Sequence, residues 1–317
     1  MGTERRAAID IGTVTTRLLV AEVADGKVTE LVRRSVITHL GEGWTETGVL
    51  SGEGMARVER AVGSFADEIR ELDVASVMAV ATSASRDAAN GAEFLDRLDA
   101  VGIRPEIISG EREARLTFAG ATYGGCADGT LVVDIGGGST ELILGSACAP
   151  DEGGGVRIEM ARSIDVGARR VTERFLASDP PSAREVDLAA GWVADELRPV
   201  FGALKSRPQE MVAVAGTATS LAAIDLELDP YDPERVHGYR IGGHALLDML
   251  QHLSEMTLDQ RREVAGLEPG RAGVIVGGAI VLQAVLAYSG LSSTLVSEHD
   301  ILYGMVLDPG PAGAGGR

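Results

Sequence analysis

The run Asp134-Ile135-Gly136-Gly137-Gly138-Ser139-Thr140-Glu141 carries residue types that suit anion and metal chemistry. Leu131-Val132-Val133 precedes it and Leu142-Ile143-Leu144 follows it, and both read as short buried strands. A strand, a Gly-rich turn and a second strand make a hairpin whose tip is nearly all backbone. Three consecutive glycines let a ligand approach the main chain with no Cβ in the way. Successive N–H groups in such a turn can form a concave nest for an anion, and Ser139 and Thr140 add hydroxyl donors. Asp134 and Glu141 stand at the two ends, where a metal or a water could be held. A plain tight turn would show the same glycines. The flanking acids and a second copy of the pattern favour a functional reading.

That second copy is Asp10-Ile11-Gly12-Thr13-Val14-Thr15-Thr16-Arg17-Leu18. Set against the first without a gap, Asp10 falls on Asp134, Gly12 on Gly136, Thr15 on Ser139, Thr16 on Thr140 and Leu18 on Leu142. The spacing is of domain length and marks an internal duplication. Three further positions join these hairpins. Gly216-Thr217 follow the apolar run Met211–Ala215 at a helix start, a setting suited to a phosphate or ribose. Arg86 follows the run Val77–Thr82, where ligands of open α/β sheets bind, and a surface ion pair with Asp87 or Glu93 is an equally good account of it. Glu113 lies in the first turn of a helix opening at Ser109-Gly110, and capping electrostatics alone would explain an acid there.

The elements that must hold these residues repeat in two halves. Strands over Ala7–Ile11, Arg17–Ala21 and Lys27–Ile37 form a meander, and strands over Leu131–Asp134, Thr140–Leu144 and Arg157–Asp165 form another. Ser51 to Leu72 reads as a helix capped by Ser51, with apolar residues at Met55, Val58, Val62, Phe65 and Ile69. Helices are also expected over Gly167–Leu176, over Ser182–Leu204 with Glu185 at the capping-box position, over Gly242–Met256, Thr257–Ala265 and Arg271–Ser289, and from Glu298 to Leu307. The fold class is α/β.

Composition bounds the function. The chain has 317 residues, 45% of them hydrophobic and 4% aromatic, which suits two α/β domains with aliphatic cores. A formal net charge of −18 argues against general nucleic-acid binding and makes any anion site a local cluster of donors. Cys126 and Cys148 lack the paired spacing of a metal site or a disulfide framework, so a reducing, cytoplasmic setting is expected. The N-terminus shows no signal-peptide pattern, and the apolar stretch from Val274 to Tyr288 is short for a membrane span and reads as a buried helix. His237, His244, His252 and His299 have no metal-ligand spacing. The stretch 309–317 is expected to be disordered.

Taken together, Asp10-Ile11-Gly12 with Arg17-Leu18, the segment Ala81–Asn90, Ile108-Ser109-Gly110 with Glu113-Ala114, and Asp134–Glu141 resemble the actin/Hsp70/sugar-kinase superfamily. Within it they resemble the exopolyphosphatase / guanosine pentaphosphate phosphohydrolase family. Arg271-Ala272-Gly273-Val274-Ile275 and Val296-Ser297 add weaker matches. The resemblance implies two RNase H-like domains with a cleft between them. These would span 1–122, completed by a helix over 297–308, and 123–296. It implies hydrolysis of a terminal phosphoryl group of polyphosphate or of pppGpp, in a homodimer whose partners are polyphosphate or guanosine penta- or tetraphosphate. By the resemblance Glu113 is the base that activates water and Arg86 a phosphate-binding arginine. Gly136 to Thr140, with Gly12, Thr13, Thr15, Arg17, Gly216 and Thr217, would hold phosphate. Asp10, Asp134 and Glu141 would hold Mg2+ or Mn2+.

Two departures bear on substrate. Thr13-Val14-Thr15 stands where the family carries Ser-Asn-Ser/Thr, so Val14 offers no amide. Glu298-His299-Asp300 stands where Asp-Arg-Gly is usual. The chain is also shorter than the larger members, which with its acidity favours short polyphosphates or a nucleotide pentaphosphate. Two other classes use the same hairpins: an ATP-dependent kinase or ATPase of this fold, and a non-catalytic sensor of polyphosphate or (p)ppGpp. The pair Arg86 and Glu113 favours the phosphohydrolase.

Overall fold

The computed structural model of the protein describes residues 3–148 and 155–308, excepting the side chains of residues 45, 46, 83 and 148. The stretch 309–317 and the side chain of Cys148 therefore lie outside the described residues. The chain opens with β1 (Glu4–Ile11), β2 (Thr15–Ala24) and β3 (Lys27–Ile37), then α1 (Trp44–Thr47) and α2 (Gly52–Glu71). β4 (Ser76–Ala81), α3 (Ser83–Asp87), α4 (Gly91–Ala100), β5 (Glu106–Ile107) and α5 (Gly110–Ala121) follow. The second meander is β6 (Cys126–Ile135), β7 (Thr140–Cys148) and β8 (Gly155–Ile164), continued by α6 (Ala168–Phe175) and α7 (Ala183–Gly202). Next come β9 (Glu210–Val214), α8 (Ala215–Asp225), α9 (Pro233–Val236), β10 (Arg240–Gly242), α10 (Gly243–Glu255) and α11 (Leu258–Arg262). α12 (Ile275–Ser289), β11 (Ser293–Val296) and α13 (Ile301–Leu307) close the chain.

Two compact units result. The first runs to Gly124 and takes up the chain again from Asp300, and the second comprises Gly125–Cys148 and Gly155–His299. Their sheets have the orders β3-β2-β1-β4-β5 and β10-β11-β9-β6-β7-β8. In each, an antiparallel meander is joined by a parallel strand on the far side of its first member, β4 beside β1 and β9 beside β6. The expected α/β class with an RNase H-like strand order in each half is what the chain adopts.

In the first unit the period-two alternation of the strands sorts residues between two cores. Ile9, Ile11, Leu18 and Val20 pack with Met55, Val58, Val62 and Phe65 of α2. Ala8, Leu19 and Val80 pack with Leu116 of α5 and with Ile301, Leu302, Met305 and Val306 of α13. Asp10 and Arg17 alternate with the first set, so they lie on the α5/α13 face. α5 and α13 approach closely through glycine. A Cβ at Gly304 would sit 1.9 Å from the Leu116 carbonyl oxygen, and one at Gly120 would sit 1.7 Å from that of Asp300. Glycine to alanine in a helix ordinarily stabilises. Here Gly304→Ala is expected to destabilise the protein by about 3 kcal/mol through overpacking, read as a lower midpoint in urea.

In the second unit Leu131, Val133, Ile135, Leu142 and Leu144 face one core with α6, α7, α8, α10 and α12. α12 is the buried helix expected from Val274–Tyr288, and its glycines are contact points. A Cβ at Gly277 would meet the Ala168 carbonyl oxygen at 2.4 Å, and one at Gly278 the Thr217 methyl at 2.6 Å. It begins at Ile275, later than the expected Arg271, because Pro269–Arg271 forms a separate 3-10 turn. α13 likewise begins at Ile301. Ser297 Oγ bonds the carbonyl and amide of His299 in a local turn, and Asp300 caps the helix through the Leu302 amide. Among the described residues no helix is long and apolar enough to cross a membrane.

Candidate active site

The two hairpin tips share their internal geometry. Gly12 N donates to Thr15 O at 3.0 Å, and Gly136 N donates to Ser139 O at 3.0 Å. Asp10 is paired in register with Arg17, and Asp134 with Glu141. Thr16 and Thr140 are both fully buried. Thr16 Oγ1 lies 3.1 Å from Thr38 Oγ1, and Thr140 Oγ1 donates to the Val166 carbonyl. Thr140 was expected at the phosphate, but its hydroxyl instead ties the hairpin to the segment after β8. A threonine just after the parallel strand beside each hairpin makes a similar tie. Thr82 N and Oγ1 donate to Ile11 O, and Thr217 Oγ1 donates to Ile135 O. Thr82 and Thr217 thus make the same hydroxyl bond from places one residue apart in register.

The hairpins differ in charge. In the first unit Asp10, 4% exposed, accepts from Arg17 Nε at 3.1 Å and Nη2 at 2.5 Å, while Arg17 Nη1 donates to Asp300. Arg17 was expected to meet phosphate, yet its guanidinium is divided between two carboxylates. Burial pushes the Asp10 carboxyl above its usual range, and Arg17 opposes that shift. Arg17→Gln would leave two buried acids uncompensated and is expected to destabilise the first unit by about 3 kcal/mol near neutral pH. A carboxyl whose folded pKa exceeds its unfolded value binds its proton more tightly when folded. The deficit should therefore shrink as pH is lowered toward about 4, which denaturation across a pH series would measure.

In the second unit the register position of Arg17 is held by Glu141. It is 4% exposed and accepts from Ser163 Oγ at 2.7 Å. Directly opposed residues of an antiparallel pair share a face, so Asp134 and Glu141 carry like charges side by side. Among the described residues no cluster of three or more His, Cys, Asp or Glu side chains could hold a metal. Two carboxylates do suit Mg2+, which keeps waters and binds through one or two protein carboxylates plus substrate phosphates. Asp10, already bonded by an arginine, is the poorer ligand of the three expected.

Arg86 and Glu113 meet in the first unit. Arg86 Nη1 lies 3.3 Å from Glu113 Oε2 and 3.3 Å from the Ile108 carbonyl oxygen, and its Nε is 3.6 Å from Asp87. Ser109 Oγ caps α5 through the Arg112 amide, and the Glu113 amide donates to Ser109 O at 2.9 Å. Glu113 is thus a buried carboxylate beside a guanidinium in the opening turns of a helix. Gly216 and Thr217 lie within the first turn of α8, whose first residue, Ala215, takes φ +62°. A Cβ at Gly216 would fall 1.7 Å from Arg271 Nη1, so the guanidinium fills the space a side chain would take there. His237 and His299 stack at 4.2 Å between ring centres.

The model of the Ppx/GppA phosphatase family matches residues 19–308. The chain belongs to that family. Exopolyphosphatase 2 of Mycobacterium tuberculosis is 38% identical over 327 residues, covering 97% of this chain and 99% of the relative. The crystal structure of an exopolyphosphatase-like protein superposes with a TM-score of 0.89 at 34% identity, over 97% of this chain and 98% of that one. The Ppx/GppA family member of Aquifex aeolicus superposes with a TM-score of 0.80 at 31% identity, over 96% and 97% of the two chains. In this Ppx/GppA chain, sequence reasoning missed Asp300 as the partner of Arg17, Ser163 as the partner of Glu141, and Arg271 over Gly216. Arg271 carried a signal in the motif Arg271–Ile275, and Asp300 one in the departure Glu298-His299-Asp300.

Proposed function

We propose that the chain is an exopolyphosphatase that releases the terminal phosphate of short inorganic polyphosphates. The observation that carries this reading is the relation to exopolyphosphatase 2 over 99% of that protein's length. Glu113 takes a proton from the attacking water, the oxygen bonds the terminal phosphorus, and the phosphoanhydride bond to the rest of the chain breaks. Arg86 steadies the Glu113 carboxylate and offers its charge to the phosphate. The amides at the Gly136–Ser139 tip cradle the phosphoryl oxygens. Asp134 and Glu141 would hold Mg2+ or Mn2+, which would supply charge neutralisation for the phosphate and an ordered water.

The same reading extends to pppGpp, whose 5′-triphosphate ends in the same bond. The net charge of −18 supports short chains, because each added phosphate increases the repulsion the site must overcome. The test is phosphate release from tripolyphosphate, longer polyphosphates, pppGpp and ATP, with Mg2+ and with chelator. Release from tripolyphosphate and pppGpp that declines with polymer length is the expected pattern. A preference for the longest chains would overturn the length assignment, and release from ATP alone would overturn the reading.

A further inference from the structure

The Gly-rich tip in the second unit is held from one side. Gly136 O accepts from Ala168 N at 2.9 Å, and Gly137 O accepts from Arg169 N at 3.0 Å and Arg170 N at 3.1 Å. Gly138 O accepts from Arg170 Nε at 2.9 Å. The opening amides of α6, groups that elsewhere bind anions directly, are here bonded to the loop's carbonyls. Across a trans peptide the C=O of one residue and the N–H of the next point in opposite directions. Drawing three successive carbonyls toward α6 therefore turns the amides of Gly137, Gly138 and Ser139 away from it. Among the described residues none of those three amides donates to a backbone carbonyl. Gly167 completes the contact, since a Cβ there would lie 2.5 Å from the Gly137 carbonyl oxygen.

The first unit shows the same device with different parts. Thr13 O accepts from Gly41 N at 2.9 Å, and Val14 O from Thr38 N and His39 N at 2.8 and 2.9 Å. Val14 is the counterpart of Gly138. Val14 O is held by two backbone amides, with a longer contact from Thr38 Oγ1 at 3.5 Å, whereas Gly138 O is held by the Arg170 side chain. Asp165, largely exposed, lies 3.5 Å from Arg170 Nη2.

We propose that Arg170 is a positioning residue of the phosphate loop: by holding the Gly138 carbonyl it keeps the Ser139 amide turned toward the anion. The proposal rests on the reading of this tip as the phosphate cradle. Arg170→Ala is expected to raise KM for tripolyphosphate about tenfold with kcat changed much less, the mark of lost binding rather than lost chemistry. Arg170→Lys, which keeps the charge and a donor, should recover part of that loss. A purely structural residue would instead lower the melting temperature and leave the KM of the folded fraction unchanged. Hydrogen exchange over residues 136–140 gives a readout independent of turnover. Arg170→Ala should speed exchange there without ligand and lessen the protection that tripolyphosphate confers. Unchanged KM and unchanged exchange in Arg170→Ala would overturn the proposal. If the wild-type protein releases no phosphate from any substrate, the phosphohydrolase reading fails, and exchange without ligand still decides what Arg170 does to the loop.

Discussion

Glu113→Gln is expected to release phosphate about 10²- to 10⁴-fold more slowly than wild type while still binding polyphosphate, the usual span for loss of a general base. The substitution changes little else. Glutamine has the shape of glutamate, and its carbonyl can still accept from Arg86 Nη1, now 3.3 Å from Glu113 Oε2. Arg86 also keeps the Ile108 carbonyl, and the cap of α5 runs through Ser109 and Arg112 and does not involve the altered group. What is lost is the ability to accept a proton from water. Single-turnover phosphate release and equilibrium binding of tripolyphosphate, measured on the same preparation, separate the two quantities. Turnover near the wild-type rate would remove Glu113 from the mechanism. Weak binding with unchanged turnover of the bound fraction would make it a ligand group instead.

Glu141→Gln is expected to act in opposite directions with and without metal. Glu141 faces Asp134 across the β6–β7 pair, and like charges directly opposed destabilise by roughly 0.2–1 kcal/mol. Without metal, glutamine relieves that repulsion and can still accept from Ser163, so the variant should unfold at the same or a higher denaturant concentration. With Mg2+, the wild-type protein should gain stability as ligand binding to the folded state requires, and the variant should gain much less. Its activity should fall by tenfold or more at millimolar Mg2+ and recover in part as Mg2+ is raised. Melting with chelator and over a Mg2+ titration measures both effects. A wild-type protein indifferent to Mg2+, with a variant equal to it throughout, would show that the two acids are not a metal pair.

The sequence carried the hairpins well because their requirements are local. Glycines where the backbone must be bare, acids at the strand ends and alternating apolar residues are all consecutive positions. The amphipathic face of α2 and the burial of α12 were legible for the same reason. The partners were not. Arg17 meets Asp300 at the opposite end of the chain, and Glu141 meets Ser163 through strand register, neither of which any local spacing encodes. Thr140 looked like a ligand group because a hydroxyl beside three glycines suggests one, and only the position of Val166 shows where its proton goes. Helix ends slipped for a related reason. Glu298 and His299 could have begun α13, but Ser297 closes a turn with His299 and leaves Asp300 to cap.

The contact of α13 with the first sheet sets an order on the making of the molecule. The core formed by Ala8, Leu19 and Val80 is closed by Ile301, Leu302, Met305 and Val306, which leave the ribosome after every strand from β1 to β11. The second unit ends at His299, so all of its residues are made before α13 exists. Domains ordinarily fold in the order in which they are synthesised. Here the unit begun first is the unit completed last. Until then that face of its sheet has α5 but lacks α13, and Arg17 has only one of its two carboxylates.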